Sequence, residues 1–197
     1  MSIPAKLAVF ISGGGTNLQA LIDASKEGRL AARIVLVVSS RSDVFGLERA
    51  RQEGIDTFIH KAKNYSTHDE AAQALMSTLE KYEVEYIALA GYLKLIPAEI
   101  IRKYKGRIVN IHPALLPKYG GKGMYGHFVH EAVLAAGDRE SGASVHIVDE
   151  IYDNGRILLQ KKVPVMPDDN PDSLAERVLK AEHEIYAIAL DTLIKGK

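Results

Sequence analysis

The sequence predicts an α/β fold: a doubly wound, mostly parallel sheet with an antiparallel extension in its C-terminal half. Three observations predict it. Short apolar runs alternate with segments of helical spacing through the first half, the pattern of parallel strands joined by right-handed helical crossovers. The runs are continuously apolar, as in strands covered on both faces. In the second half, two strand-like segments are joined by Tyr152-Asp-Asn-Gly-Arg156, and Asp-Asn-Gly is strong turn chemistry between antiparallel strands.

Each element follows in order. Lys6–Ile11 (KLAVFI) is the first buried strand. Thr16–Lys26 is helical, with Leu18, Leu21 and Ile22 at i, i+3 and i+4. Ile34–Val38 is the second strand, Val44–Glu53 the second helix and Asp56–His60 a short, weaker strand. Thr67–Tyr82 carries Ala72, Leu75, Leu79 and Tyr82 on one helical stripe. Tyr86–Ala90 and Arg107–Ile111 are further strands, and Ala143–Ile151 and Ile157–Val165 form the antiparallel pair. The last helix opens with Asn170 as its cap and Pro171 at its first position. Its stripe is Leu174, Val178, Ala181, Ile185 and Ile188. No repeat, low-complexity tract or Gly/Ser/Pro-rich linker interrupts the chain, so one domain over 1–197 is expected.

Composition excludes several classes. The 25 Lys and Arg residues offset 25 Asp and Glu, so the basic footprint of a general nucleic-acid binder is missing. With 47% hydrophobic and 25% charged residues the 197-residue chain is ordinary globular material. Cysteine is absent, which removes disulfides, thiolate nucleophiles and Cys-ligated metals. No apolar run reaches the ~18 residues of a membrane span. Met1-Ser-Ile-Pro-Ala-Lys6 carries no signal-peptide pattern. The expectation is a cytoplasmic protein with neither membrane nor nucleic acid as partner.

The first strand ends in Ser12-Gly13-Gly14-Gly15-Thr16-Asn17. Glycines let backbone approach a ligand closely, and free N–H groups at a helix start favour an anion. The bland alternative is a tight turn with no ligand. The Walker spacing is missing, which disfavours nucleoside triphosphates. Leu18 sits where a dinucleotide fingerprint needs its third glycine, and the second strand ends in Ser39-Ser40-Arg41 without an acid. A small phosphomonoester fits better. An NADP-dependent oxidoreductase with Arg41 on a 2′-phosphate stays open as a rival, as does a non-catalytic nucleotide-sensing module.

Arg107-Ile-Val-Asn-Ile-His-Pro113 is the most informative stretch. Residues two apart on a strand face the same way, so Asn110 and His112 project together where Pro113 ends the ladder. An amide donor beside an imidazole at the carboxyl end of a strand suits a tetrahedral oxyanion. Alternatively, the pair satisfies backbone groups in a turn.

SGGGTNLQALIDA, LAGYLKLIP, VNIHPALLPKYGG, GASVHIVDEIYDNG and AEHEIYA occur in this order along essentially the whole chain. Together they resemble the phosphoribosylglycinamide formyltransferases, folate-dependent enzymes of purine synthesis. The resemblance implies a Rossmann-like formyltransferase fold. It implies formyl transfer from 10-formyltetrahydrofolate, as co-substrate, to the amine of glycinamide ribonucleotide. Residues 1–100 then form the phosphate- and nucleotide-binding half, and 101–197 the catalytic and folate-binding half. It assigns catalysis to Asn110, His112 and Asp153, and the phosphate to Gly13, Gly14, Gly15, Thr16 and Asn17. Glu182 becomes a substrate contact. Lys94, Leu95 and Ile96 with Val148, Asp149, Glu150 and Ile151 become the folate contacts. Asp153 is expected to raise the pKa of His112 above ~6.5. A monomer or homodimer is expected, and no metal. One segment departs from common members: where they read Pro-Gly followed by a His-containing stretch, this chain reads Gly120-Gly-Lys-Gly-Met-Tyr-Gly126 and then His127.

Other candidates have plainer readings. By pattern alone Glu182 is a solvated helix edge. His127 and His130, three apart on a predicted helix, lack a third metal ligand. His146 reads as a hydrogen-bonded structural residue, and Lys161-Lys162 as a solvated strand face.

Overall fold

The computed structural model describes residues 3–196. The elements are β1 (Ala5–Ile11), α1 (Thr16–Lys26), β2 (Ala32–Ser39), α2 (Phe45–Gln52), β3 (Asp56–Ile59), α3 (His68–Lys81) and β4 (Tyr86–Leu89). They continue with α4 (Ala98–Lys103), β5 (Ile108–His112), α5 (His127–Ala135), β6 (Glu140–Ile147), β7 (Ile157–Pro164) and α6 (Pro171–Ile194). The strands form a 7-stranded sheet in the order β3-β2-β1-β4-β5-β6-β7. β1 to β5 are mutually parallel, and β6 and β7 extend them antiparallel. The chain winds outward from β1 to β3, then returns to the other side of β1 for β4 and β5. The reversal lies between β1 and β4, and open α/β sheets bind ligands at such a point, outside the carboxyl ends of the strands.

Two cores explain the uninterrupted apolar runs. Leu7, Val9 and Ile11 of β1 pack with Leu18 and Leu21 of α1 and Val178 and Ile185 of α6. Ala8 and Phe10 face the other way, to Leu75 and Leu79 of α3 and Ile100 of α4. With a side-chain period of two, a strand buried on both faces has no position left for a polar residue.

The same alternation sorts the polar residues of β5 and β6. Val109, Ile111, Ala143 and Val145 belong to the α1–α6 core, while Ile108 belongs to the α3–α4 core. Asn110 and His112 therefore share the face of Ile108, together with Ser144 and His146. The antiparallel register sets Asn110 opposite His146 and His112 opposite Ser144.

α6 begins with a capping box. Asn170 Oδ1 accepts from the N–H groups of Asp172 and Ser173, and Ser173 Oγ accepts from the N–H of Asn170. Tyr186, fully buried on this helix, donates its hydroxyl to the carbonyls of Leu89 (2.9 Å) and Val109 (3.1 Å). That fastens α6 to the carboxyl end of β4 and the first half of β5.

Some boundaries differ from the sequence reading. β6 covers Glu140–Ile147, not Ala143–Ile151. Val148 still donates to the Ile108 carbonyl, but β5 begins there and offers nothing further to pair with, so Val148–Ile151 becomes a loop. β7 reaches Glu140 through Pro164 and lengthens β6 at its other end. Ile188 leaves the apolar stripe and is 55% exposed. The buried side of α6 turns towards Glu182, Tyr186, Ala189 and Leu190, because its last turns lean on the α1–β2 connection, where Asp191 accepts from the Ala31 N–H. Other ends shift by a residue or two, and α4 was not expected.

Candidate active site

β5 ends at His112, and the chain turns away at Pro113. His112 is buried, and its Nε2–H donates to the Tyr119 carbonyl at 2.8 Å. Its Nδ1 lies 3.7 Å from Asp153 Oδ2. The same carboxylate accepts from the Gly121 N–H at 2.9 Å and lies 3.4 Å from His146 Nε2. His146 Nε2 in turn meets Asn110 Nδ2 at 3.1 Å. Asn110, His112 and Asp153 thus come together, with His146 among them. Asp153 occupies a left-handed turn, φ 51°. Gly120 is needed beside it, since a Cβ there would lie 3.2 Å from the Asp153 Cβ and 2.7 Å from Leu116 Cδ2.

The electrostatics correct one expectation. Burial lowers the His112 pKa and outweighs the Asp153 charge and the Tyr119 carbonyl, which both raise it. The carboxylate acts with the expected sign, but an imidazole this deep loses more hydration than one half-buried anion restores. For Asp153, burial pushes the pKa up; the neighbouring His146 and His112 imidazoles and the Gly121 N–H together outweigh it and hold the carboxyl below its ordinary value.

At the other end of the carboxyl edge, Gly15 caps α1 with φ 73° and no side-chain cap is present, so the first N–H groups of the helix face outward unpaired by side chains. A Cβ on Gly15 would lie 2.7 Å from Gly46 Cα; this glycine lets α1 and α2 meet. Gly13 and Gly14 instead border open space. Gly46 N–H donates to the Gly13 carbonyl at 3.2 Å, and Arg49 Nε to the Gly14 carbonyl at 2.9 Å. The loop's carbonyls are turned towards α2, and a guanidinium stands beside it. Sequence reasoning missed Arg49, because its contact with the loop is non-local.

Thr16 is exposed, whereas Asn17 is buried and donates to Glu182 Oε2 at 2.6 Å. Glu182 is itself buried, with its pKa pushed up to about 7 by burial against the opposing pull of Asn17. The solvated-edge reading of Glu182 is overturned. Asn17 Oδ1 is buried with no hydrogen-bond partner among the described residues.

Two loops flank α4. In the first, the Leu93 N–H donates to Ser12 Oγ at 2.9 Å, and Ser12 Oγ bonds Ser40 Oγ at 2.7 Å, across the point where the winding reverses. Lys94, Leu95 and Ile96 lie outside any helix or strand; Ile96 is buried and Leu95 exposed. In the second, Asp149 accepts from the Ile151 N–H, and Glu150 faces Arg102 of α4 at 3.7 Å. Leu93, Leu95, Ile151 and Tyr152 expose large apolar surfaces. Exposed apolar side chains on two facing loops suit a flat, partly aromatic ligand.

Several rivals lose ground. Arg41 is clamped by both oxygens of Asp43 (3.3 and 3.0 Å), and Leu18 is fully buried where a dinucleotide fold needs glycine. His127 faces Glu131 at 3.2 Å and Asp172 at 3.6 Å on the surface, while His130 is buried, its pKa lowered to about 4 by burial. Among the described residues no three His, Asp or Glu side chains group as metal ligands, and no helix is long and apolar enough to cross a membrane. A concavity of about 510 Å³ between Lys6, Glu53, Lys81 and Glu83 contains none of the residues above.

Comparison with known proteins gives a consistent picture. The formyl transferase family matches residues 5–190. The chain is 46% identical over 192 residues to a chloroplastic phosphoribosylglycinamide formyltransferase of Vigna unguiculata, covering 98% of this chain and 62% of that protein. It is 40% identical over 192 residues to the phosphoribosylglycinamide formyltransferase of Haemophilus influenzae, covering 98% of this chain and 88% of that one. Among solved structures, glycinamide ribonucleotide transformylase 1 from Symbiobacterium toebii superposes with a TM-score of 0.93 at 37% identity, covering 100% of this chain and 90% of that one. The chain thus spans less than two thirds of the plant relative's length.

Proposed function

Because the chain belongs to the formyl transferase family, we propose that it transfers the formyl group of 10-formyltetrahydrofolate to the amine of 5-phosphoribosylglycinamide, in purine synthesis. The products are formylglycinamide ribonucleotide and tetrahydrofolate. The observation that carries the reading is the meeting of Asn110, His112 and Asp153 at the carboxyl edge of the sheet.

The substrate phosphate takes the amides of Gly13, Gly14, Gly15, Thr16 and Asn17, with Arg49 adding charge. Glu182 accepts a hydrogen bond from a sugar hydroxyl. Remote binding of this kind fixes the amine for attack. The folate ring system lies against Lys94–Ile96 and Val148–Ile151. The residues 1–197 act as one unit on this reading, the phosphate grip coming from 1–100. Transfer comes from 101–197, although the Lys94–Ile96 contact falls in the first half. All these groups belong to one chain and call for no metal; a cytoplasmic setting goes with the reading.

The amine attacks the formyl carbon directly, since no thiol exists to form an intermediate. A C–N bond forms to the substrate nitrogen, and the bond to N10 breaks. Asn110 donates to the developing oxyanion. His112 takes up the proton released by the attacking nitrogen as that charge appears: burial makes a proton costly to hold there in the free enzyme, so the interaction is strongest in the transition state. Asp153 holds the protonated ring and, with a water, passes that same proton on to N10 as the bond to it breaks. A turnover assay with both substrates tests the proposal, and formation of tetrahydrofolate and formylated ribonucleotide is expected. No transfer, together with tight NADP(H) binding by calorimetry, would favour the oxidoreductase rival.

A further inference from the structure

The hydrogen bonds around Asp153 leave few places for a proton. Each flanking imidazole is tied at its outer nitrogen to a backbone carbonyl: His112 Nε2 to Tyr119 at 2.8 Å and His146 Nδ1 to Ile147 at 2.9 Å. A carbonyl oxygen only accepts, so both outer nitrogens carry hydrogen. A neutral imidazole has a single N–H. The inner nitrogens, His112 Nδ1 and His146 Nε2, are then bare, and both face Asp153 at 3.7 and 3.4 Å.

The two rings differ in what else they meet. His146 Nε2 has Asn110 Nδ2 at 3.1 Å, and an amide nitrogen only donates. The neutral ring of His146 is therefore complete: it gives one hydrogen bond to Ile147 and takes one from Asn110. No such donor fills His112 Nδ1, so that nitrogen is the one left open towards Asp153.

A consequence follows for Asn110. A carboxamide has a donor end and an acceptor end of nearly equal size. Turned the wrong way, Asn110 would aim a carbonyl at an oxyanion. With one N–H held on His146, the second N–H is left for the reacting oxygen and the flipped form loses its partner. The cross-strand register makes this hold short and direct, since Asn110 and His146 are paired residues of β5 and β6. His146 is buried.

We propose, resting on the transferase reading above, that His146 is a positioning residue: its Nε2 fixes the donor orientation of Asn110 and leaves Asp153 to serve His112. Neither the strand pattern nor the catalytic trio assigned it such a part.

The test compares His146→Leu with His146→Gln, whose side-chain oxygen can accept from Asn110, each alone and combined with Asn110→Ala. His146→Leu is expected to lower kcat by about 10²-fold, the scale of one lost oxyanion donor, with KM for both substrates within about twofold. His146→Gln should recover most of that loss, and in the Asn110→Ala background the Leu change should cost nothing more. Equal losses for Gln and Leu, or a Leu penalty undiminished without Asn110, would overturn the proposal. Nitrogen-15 imidazole spectra of the unaltered protein supply a readout independent of folding defects and of turnover. His146 should show the Nδ1–H tautomer and a hydrogen-bonded, unprotonated Nε2; an Nε2–H tautomer overturns the inference even if formyl transfer is intact. Conversely, the expected tautomer with no formyl transfer would count against the transferase reading alone.

Discussion

Replacing Glu182 by Gln should raise stability at neutral and alkaline pH and leave it unchanged in acid. The side chain is buried on α6 with Asn17 as its hydrogen-bond donor, and burial moves its pKa from 4.5 to about 7. Below pH 4.5 the carboxyl is protonated in folded and unfolded chains alike, and the group favours neither. Between 4.5 and about 7 the unfolded chain sheds the proton while the folded one keeps it, so stability falls as pH rises. Above about 7 both are ionised and the full penalty stands. At about 1.36 kcal/mol per pKa unit, that penalty is about 3 kcal/mol. Gln keeps the shape and still accepts from Asn17 but never ionises. Urea denaturation of both proteins at pH 4.5 and pH 8 isolates the effect, because other titrating groups cancel in the difference. The variant should be more stable by about 3 kcal/mol at pH 8 and within about 0.5 kcal/mol at pH 4.5. The same pH dependence for both proteins would refute the reasoning. On the proposed function the gain comes with weaker ribonucleotide binding, an exchange of stability for activity common at functional sites.

Four other changes separate binding, chemistry and fold. Asp153→Asn should reduce turnover by about 10²–10⁴-fold with ribonucleotide KM nearly unchanged in steady-state assays; the lost charge should also move the His112 titration further down. Gly14→Val should weaken ribonucleotide binding by calorimetry and leave the melting temperature alone, because Gly14 borders open space. Gly15→Ala should instead cost at least about 1–3 kcal/mol in urea denaturation, since its left-handed backbone disfavours a side chain and Gly46 blocks one; near-wild-type stability would contradict that packing. Tyr186→Phe should cost about 1–3 kcal/mol by leaving the Leu89 and Val109 carbonyls without their shared donor, read from the urea midpoint.

The parallel half of the fold was legible because its signal is local: a strand buried on both faces must be apolar throughout, and Leu7–Ile11 is. The turn at Asp153 was legible from its Asp-Asn-Gly chemistry, and so was the helix cap at Asn170, though not its reciprocal bond with Ser173. What stayed hidden depends on residues distant in sequence. Glu182 looked like a solvated edge because its partner, Asn17, is 165 residues away. The end of β6 is set by where β5 begins. Sequence alone could pair Asn110 with His112 by strand period, but not His146 with Asn110, since that pairing needs the register of two strands 36 residues apart. The sign of the His112 shift depends on depth of burial, a property of the whole fold.

The central claim is geometric, so the most direct measurement is a crystal structure of the chain with glycinamide ribonucleotide and an inert analogue of 10-formyltetrahydrofolate. The account predicts the phosphate on the Gly13–Asn17 amides, and the carbonyl of the analogue within hydrogen-bond reach of Asn110 and His112. It predicts the substrate amine on the side of Asp153. A phosphate bound elsewhere, or a carbonyl remote from Asn110 and His112, would contradict it.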